Sequence, residues 1–142
     1  MRLLPLLLVV TACATGTVST PELDYSSADI QKAIVNTLGV GLLPAEGNER
    51  IYMSNPFRVP LGKRGEAVKN DDVVRAKAKI AVVGDRRPYV IDVTVFVDEK
   101  DDEGRWSNAG KDERLARQLA DHIQDYLARH KDKNFIDHFR AF

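Results

Sequence analysis

The chain has 142 residues, and its 21 Lys and Arg are balanced by 21 Asp and Glu, which leaves general nucleic-acid binding unsupported. Hydrophobic residues make up 44% and charged residues 30%, the balance of one folded domain rather than of a disordered chain. A single cysteine excludes an internal disulfide.

At the N-terminus, Met1-Arg2 is followed by an apolar run from Leu3 to Val10, too short to span a bilayer, and then by small residues. This is the layout of a secretory signal. The four residues Val10-Thr11-Ala12-Cys13 resemble the lipobox of bacterial lipoproteins, with valine where leucine is the commoner first residue. The resemblance implies that Cys13 takes a diacylglycerol thioether, that signal peptidase cuts before it, and that the new amine is often acylated. Each buried methylene contributes about 0.8 kcal/mol, so more than one such chain makes a lasting membrane anchor. Lipidation also removes a lone thiol from an oxidising compartment. Ala14, rather than Asp, after the cysteine implies sorting to the outer membrane, facing the periplasm. Residues 1–12 are therefore read as a signal peptide, 13–25 as a lipidated flexible tether and 26–142 as a single α+β periplasmic domain. From Ala14 to Thr20 the residues are small and polar without an apolar period, as a tether requires.

Ser26 and Asp29 stand three apart in the manner of a capping box, and Ile30, Ala33, Ile34 and Leu38 share one face of a helix expected over residues 27–38. Gly39 supplies its stop. Gly39 and Gly41 lack the third glycine and the preceding strand of a phosphate loop, so 39–44 reads as a turn. A strand is expected over 51–59 with Ile51, Met53, Phe57 and Val59 in one phase, interrupted by Pro56. A polar surface loop follows from Leu61 to Asp72. The strongest signal is a hairpin of 73–83 with 89–98 around Gly84-Asp85-Arg86-Arg87-Pro88. Val74, Ala76, Ala78, Ile80 and Val82 would share a face with Tyr89, Ile91, Val93, Val95 and Val97. Pairing Val83 with Pro88 would place Lys79 opposite Asp92.

The acidic stretch Asp98–Gly104 has three acids at calcium-loop spacing, but Gly110 falls where such a loop needs a bidentate acid, so it reads as a solvated turn ahead of Trp106. The last helix is expected from about Lys111 to His130, with Leu115, Leu119, Ala120, Ile123, Tyr126 and Leu127 in a stripe and Glu113–Arg117 and Asp125–Arg129 as charge pairs. His122 and His130 would lie about 12 Å apart along it, too far to share a metal. Phe135, Phe139 and Phe142 fall at helical spacing in the tail and are candidate contacts for a partner or the membrane interface.

No nucleophile with a base, carboxylate pair or metal-ligand spacing emerges, so the expectation is a non-enzymatic protein without cofactor or metal. Between Leu61 and Val90 bases outnumber acids, and Lys77, Lys79, Arg86 and Arg87 are candidate headgroup contacts. The expected fold is two-layer α+β, a small antiparallel sheet of three to four strands with two helices packed on one face. In the order of its elements over residues 27–130, the chain is loosely similar to the lipopolysaccharide-assembly lipoproteins of the outer membrane. That similarity implies an accessory or assembly role with an envelope protein partner, and no particular residues.

Overall fold

The computed structural model describes residues 16–45 and 48–139. Ser26 starts the first helix: its hydroxyl accepts the Asp29 backbone N–H at 3.1 Å and donates to the Asp29 carboxylate at 2.8 Å. That satisfies one of the backbone donors a helix start leaves open. Helix α1 (Ser27–Leu38) buries Ile30, Ala33, Ile34, Thr37 and Leu38, and Gly39 closes it at φ 65°, a left-handed conformation in which a Cβ is disfavoured. The loop after the strands packs directly on this end. A Cβ on Gly65 would lie 1.9 Å from the Leu38 carbonyl oxygen, so only glycine fits.

Seven strands form one antiparallel sheet: β1 (Thr17–Ser19), β2 (Leu42–Ala45), β3 (Asn48–Ser54), β4 (Phe57–Arg58), β5 (Val74–Val83), β6 (Val90–Lys100) and β7 (Trp106–Lys111). The long β5–β6 hairpin is its centre. On its β5 side β3 and β4 form one broken row, with β2 outside β3; on its β6 side β1 and β7 form another. Two buried hydroxyls carry the pairing past strand ends, the first at the break between β3 and β4 and the second at the outer end of β1. Where β3 ends, Ser54 Oγ accepts the Ala78 backbone N–H at 2.8 Å, and beyond β1, Thr20 Oγ1 accepts that of Ile91 at 3.0 Å. Without them, buried amides of the central strands would lack partners.

Helix α2 (Glu113–Phe139) follows β7 at once. Asp112 ends the strand row by donating its N–H to the Val95 carbonyl, and begins the helix by accepting the Leu115 N–H on its carboxylate at 3.0 Å. Both helices lie on one face of the sheet. Between them and it are packed Ile30, Ile34, Leu38, Phe57, Ile80, Ile91, Val93, Val95, Leu119 and Ile123, all essentially inaccessible. Each such large side chain contributes roughly 1.5–3 kcal/mol through burial. Among the described residues no helix is long and apolar enough to cross a membrane.

The α+β class and the two helices on one face are as expected; the sheet is larger than the three to four strands anticipated. Three strands account for the difference. β1 lies in the segment expected to be a tether, where Val18, Thr20 and Leu23 are buried and Thr17 pairs with Thr94. β2 occupies the expected turn, opposite Ser54, Met53 and Tyr52. β7 holds Trp106 and its polar followers against Phe96–Lys100. The phase of β3 is also reversed: Tyr52 and buried Ser54 face the helices, while Ile51 and Met53 face away, because Ser54 must reach Ala78. Finally, Val83 pairs with Val90, so the hairpin is closed by a longer turn; Lys79 stands opposite Thr94, and Asp92 opposite Ala81.

Candidate functional site

The helices cover one face of the sheet and leave the other open. Strand alternation puts Arg75, Lys77, Lys79, Ala81 and Val83 of β5 on that open face, with neighbours about 6.7 Å apart along the strand. From β6 come Val90, Asp92, Thr94, Phe96 and Asp98. β1 adds Thr17 and Ser19, β7 adds Trp106 and Lys111, and β3 and β2 add Ile51, Met53 and Leu43.

The face has two characters. Toward β2 it is apolar: Leu43 is 58% exposed and Val83 48%, with Ile51, Met53 and Val90 half-buried between and around them. Single exposed apolar residues are ordinary, but these are contiguous across β2, β3, β5 and β6, as at a contact surface. Toward β1 and β7 it is basic. Arg75 and Lys77 share the Asp98 carboxylate at 3.0 and 3.6 Å, and the Arg75 guanidinium lies 4.4 Å from the centre of the Trp106 ring. Lys111 Nζ lies 5.8 Å from the centre of the Phe96 ring. Asp92 accepts the Ser19 hydroxyl at 2.6 Å, and Thr17 and Thr94 share a hydrogen bond of 2.7 Å. Lys79 is exposed in the middle of the face, at the border of the two halves.

The four candidate headgroup cations are thus divided. Lys77 and Lys79 stand on the open face, whereas Arg86 is exposed in the hairpin turn and Arg87 reaches toward the helix layer. There Arg87 donates to the Asp24 carboxylate at 3.1 Å and to its backbone carbonyl at 3.0 Å. It lines a cleft of about 300 Å³ with Tyr25, Lys32, His130 and Lys131. Phe135 and Phe139 belong to the last turns of α2, which runs on without a break where a separate tail was expected. Cys13 and Phe142 lie outside the described residues.

The acidic turn satisfies itself. One Asp101 carboxylate oxygen accepts the backbone N–H groups of Glu103 and Arg105, and the other accepts Arg105 Nε at 3.1 Å. These bonds, the Arg105 backbone first, hold the Asp101 carboxyl below the usual aspartate range. His130 Nδ1 is 2.8 Å from the Tyr126 carbonyl, and its ring stacks on the Tyr126 ring at 3.9 Å. A carbonyl only accepts, so Nδ1 carries the proton. Glu113 and Arg117 form the expected ion pair at 3.2 Å, while Arg129 donates to the Asp125 backbone carbonyl instead of its carboxylate.

Sequence reasoning identified Lys77 and Lys79 but not their surroundings. By sequence pattern Lys111 reads as the start of a helix and Leu43 as part of a turn, and only the strand pairing puts them on a sheet face. No family model matches this chain, and no curated protein matches it.

Proposed function

We propose that this protein is a non-enzymatic envelope lipoprotein, anchored through acyl chains on Cys13 to the inner leaflet of the outer membrane, that binds an envelope protein partner as an accessory or assembly factor. The observation that carries the reading is the uncovered sheet face. Both helices are spent on the opposite side, and the apolar half formed by Leu43, Ile51, Met53 and Val83 is accessible to a second molecule. The lipobox residues Val10-Thr11-Ala12-Cys13 support the location. Phe135, Phe139 and Phe142 remain a second candidate contact for the same partner.

A photo-activated cross-linker placed at Val83, and separately at Phe139, tests this in intact envelopes. The reading expects one discrete membrane protein captured from at least one of the two positions, and not from Asn36 on the exposed side of α1. For a Val83 adduct, Leu43→Glu should abolish capture. Equal capture from all three positions, or from none, contradicts it.

A second reading, binding of lipid headgroups, is favoured by the basic half of the face. It uses Lys77 and Lys79 with Lys111, in place of the four-residue hairpin cluster.

A further inference from the structure

The tether expected between the lipid and the domain is largely absent, because its residues are structural. Gly16 is already buried against the aliphatic stem of Lys111, where a Cβ on Gly16 would come within 2.8 Å of the Lys111 Cβ. Thr17 then enters the sheet opposite Thr94. Cys13 is therefore three residues from a fixed point, a leash of at most about 11 Å when fully extended. A dozen flexible residues would average roughly 20 Å and leave orientation free. A leash this short fixes which part of the domain meets the bilayer.

That part is the basic half of the open face. Lys111 packs on Gly16, the fixed point itself, and Lys77 and Lys79 lie two strands from β1 across β6, about 10 Å away. Of the two acids on this face, Asp98 is paired with Arg75 and Lys77, and Asp92 accepts the Ser19 hydroxyl and keeps its charge, so the cations Arg75, Lys77, Lys79 and Lys111 outnumber them. Of the apolar half, Leu43 on the β2 edge is about 19 Å from the β1 row across four strand spacings, while Val83 lies farther along β5, beyond Lys79.

Resting on the lipid-anchor reading above, we infer that the domain lies on its own membrane with Lys77, Lys79 and Lys111 against anionic phospholipid headgroups. This holds the sheet in one orientation. The chemistry is charge complementarity between a row of lysines and a negatively charged leaflet, each lysine adding attraction that salt screens. The Leu43–Val83 end is then presented just above the headgroups, where the extramembrane part of an embedded protein would meet it.

The mature lipoprotein supplies its own labelling chemistry, since a Cys13 thioether has no thiol and an introduced cysteine is the single reactive one. Ala81→Cys, on the open face, and Arg117→Cys, on α2, are each labelled with a fluorophore in the full lipidated protein. Each is then reconstituted in phosphatidylcholine vesicles with or without phosphatidylglycerol, carrying a headgroup quencher. The inference expects several-fold stronger quenching at position 81 than at 117 in the anionic vesicles. The difference should collapse in pure phosphatidylcholine, in high salt, and in a Lys79→Glu/Lys111→Glu background. Equal quenching at the two positions, or a preference indifferent to charge and salt, overturns it while leaving the lipid anchor standing. Failure of the anchor reads differently, because the protein without an introduced cysteine would then react with a maleimide.

Discussion

Asp98 on β6 stands directly opposite Arg75 on β5, and its carboxylate accepts Arg75 Nε at 3.0 Å while lying 3.6 Å from Lys77 Nζ. One carboxylate, only 11% exposed, thereby holds two cations of the open face in place. Asp98→Ala, which removes the acceptor, should lower stability by about 1.5–3 kcal/mol, the usual contribution of a hydrogen bond to a charged group. The measurement is the urea midpoint, with the slope of the transition unchanged. An unshifted midpoint would mean that solvent screens the pair.

Two buried hydroxyls satisfy amides of the central strands, one at the break between β3 and β4 and one past the outer end of β1. Ser54→Ala leaves the buried Ala78 amide without an acceptor, and Thr20→Val does the same to Ile91. Each should cost about 1–3 kcal/mol, the penalty for a buried unpaired donor. Amide hydrogen exchange should accelerate at Ala78 in the first variant and at Ile91 in the second. Acceleration spread evenly over the sheet would contradict the local assignment.

How much of this could be read beforehand follows from where the signals reside. Helix α1 was legible to the residue, because Ser26, Asp29 and Gly39 mark both ends chemically as well as by apolar period. The hairpin strands and their buried faces were legible by alternation. The short strands were not. β1 has Val18 as its one inward apolar residue and otherwise looks like a linker, and β7 runs Ser107, Asn108, Ala109, Gly110 with a register shift that erases alternation. These are strands because β6 is longer than β1 and offers free edge groups to both, a tertiary cause with no local trace. Of the candidate site, Lys77 and Lys79 were visible in sequence. Lys111, Phe96 and Leu43 join them only through sheet order.

The end of α1 and the following loop meet as backbone on backbone. Gly65→Ala would drive a Cβ to 1.9 Å from the Leu38 carbonyl oxygen, and Gly39→Ala would place one 2.4 Å from the Gly65 carbonyl at a φ of 65°. Both should destabilise by more than about 1 kcal/mol, since the native conformation is closed to alanine. Thermal unfolding checks this, with Gly65→Ala expected to be the worse. Gly104→Ala has a similarly positive φ but 3.9 Å of clearance to its nearest neighbour, so its loss should be smaller.

Asp72 accepts the Lys69 backbone N–H at 2.8 Å and two bonds from the Arg58 guanidinium at 2.9 and 3.1 Å. The Lys69 amide first, then Arg58, holds its carboxyl below the ordinary range. A depressed folded-state value means that the stabilisation is present above the unfolded value, about 3.9, and is lost as pH falls through the folded one. Urea midpoints measured between about pH 5 and pH 2 should therefore fall less steeply for Asp72→Asn than for the wild type. Parallel acid limbs would contradict the assignment.

The proposed location and partner both depend on the sulfur of Cys13. The most direct measurement is the intact mass of the protein purified from bacterial envelopes. The account predicts a chain that begins at Cys13, heavier by a diacylglyceryl group with or without a further acyl chain, and a Cys13→Ser variant that lacks this increment and leaves the membrane fraction. An unmodified cysteine in a product recovered from the soluble fraction would contradict it.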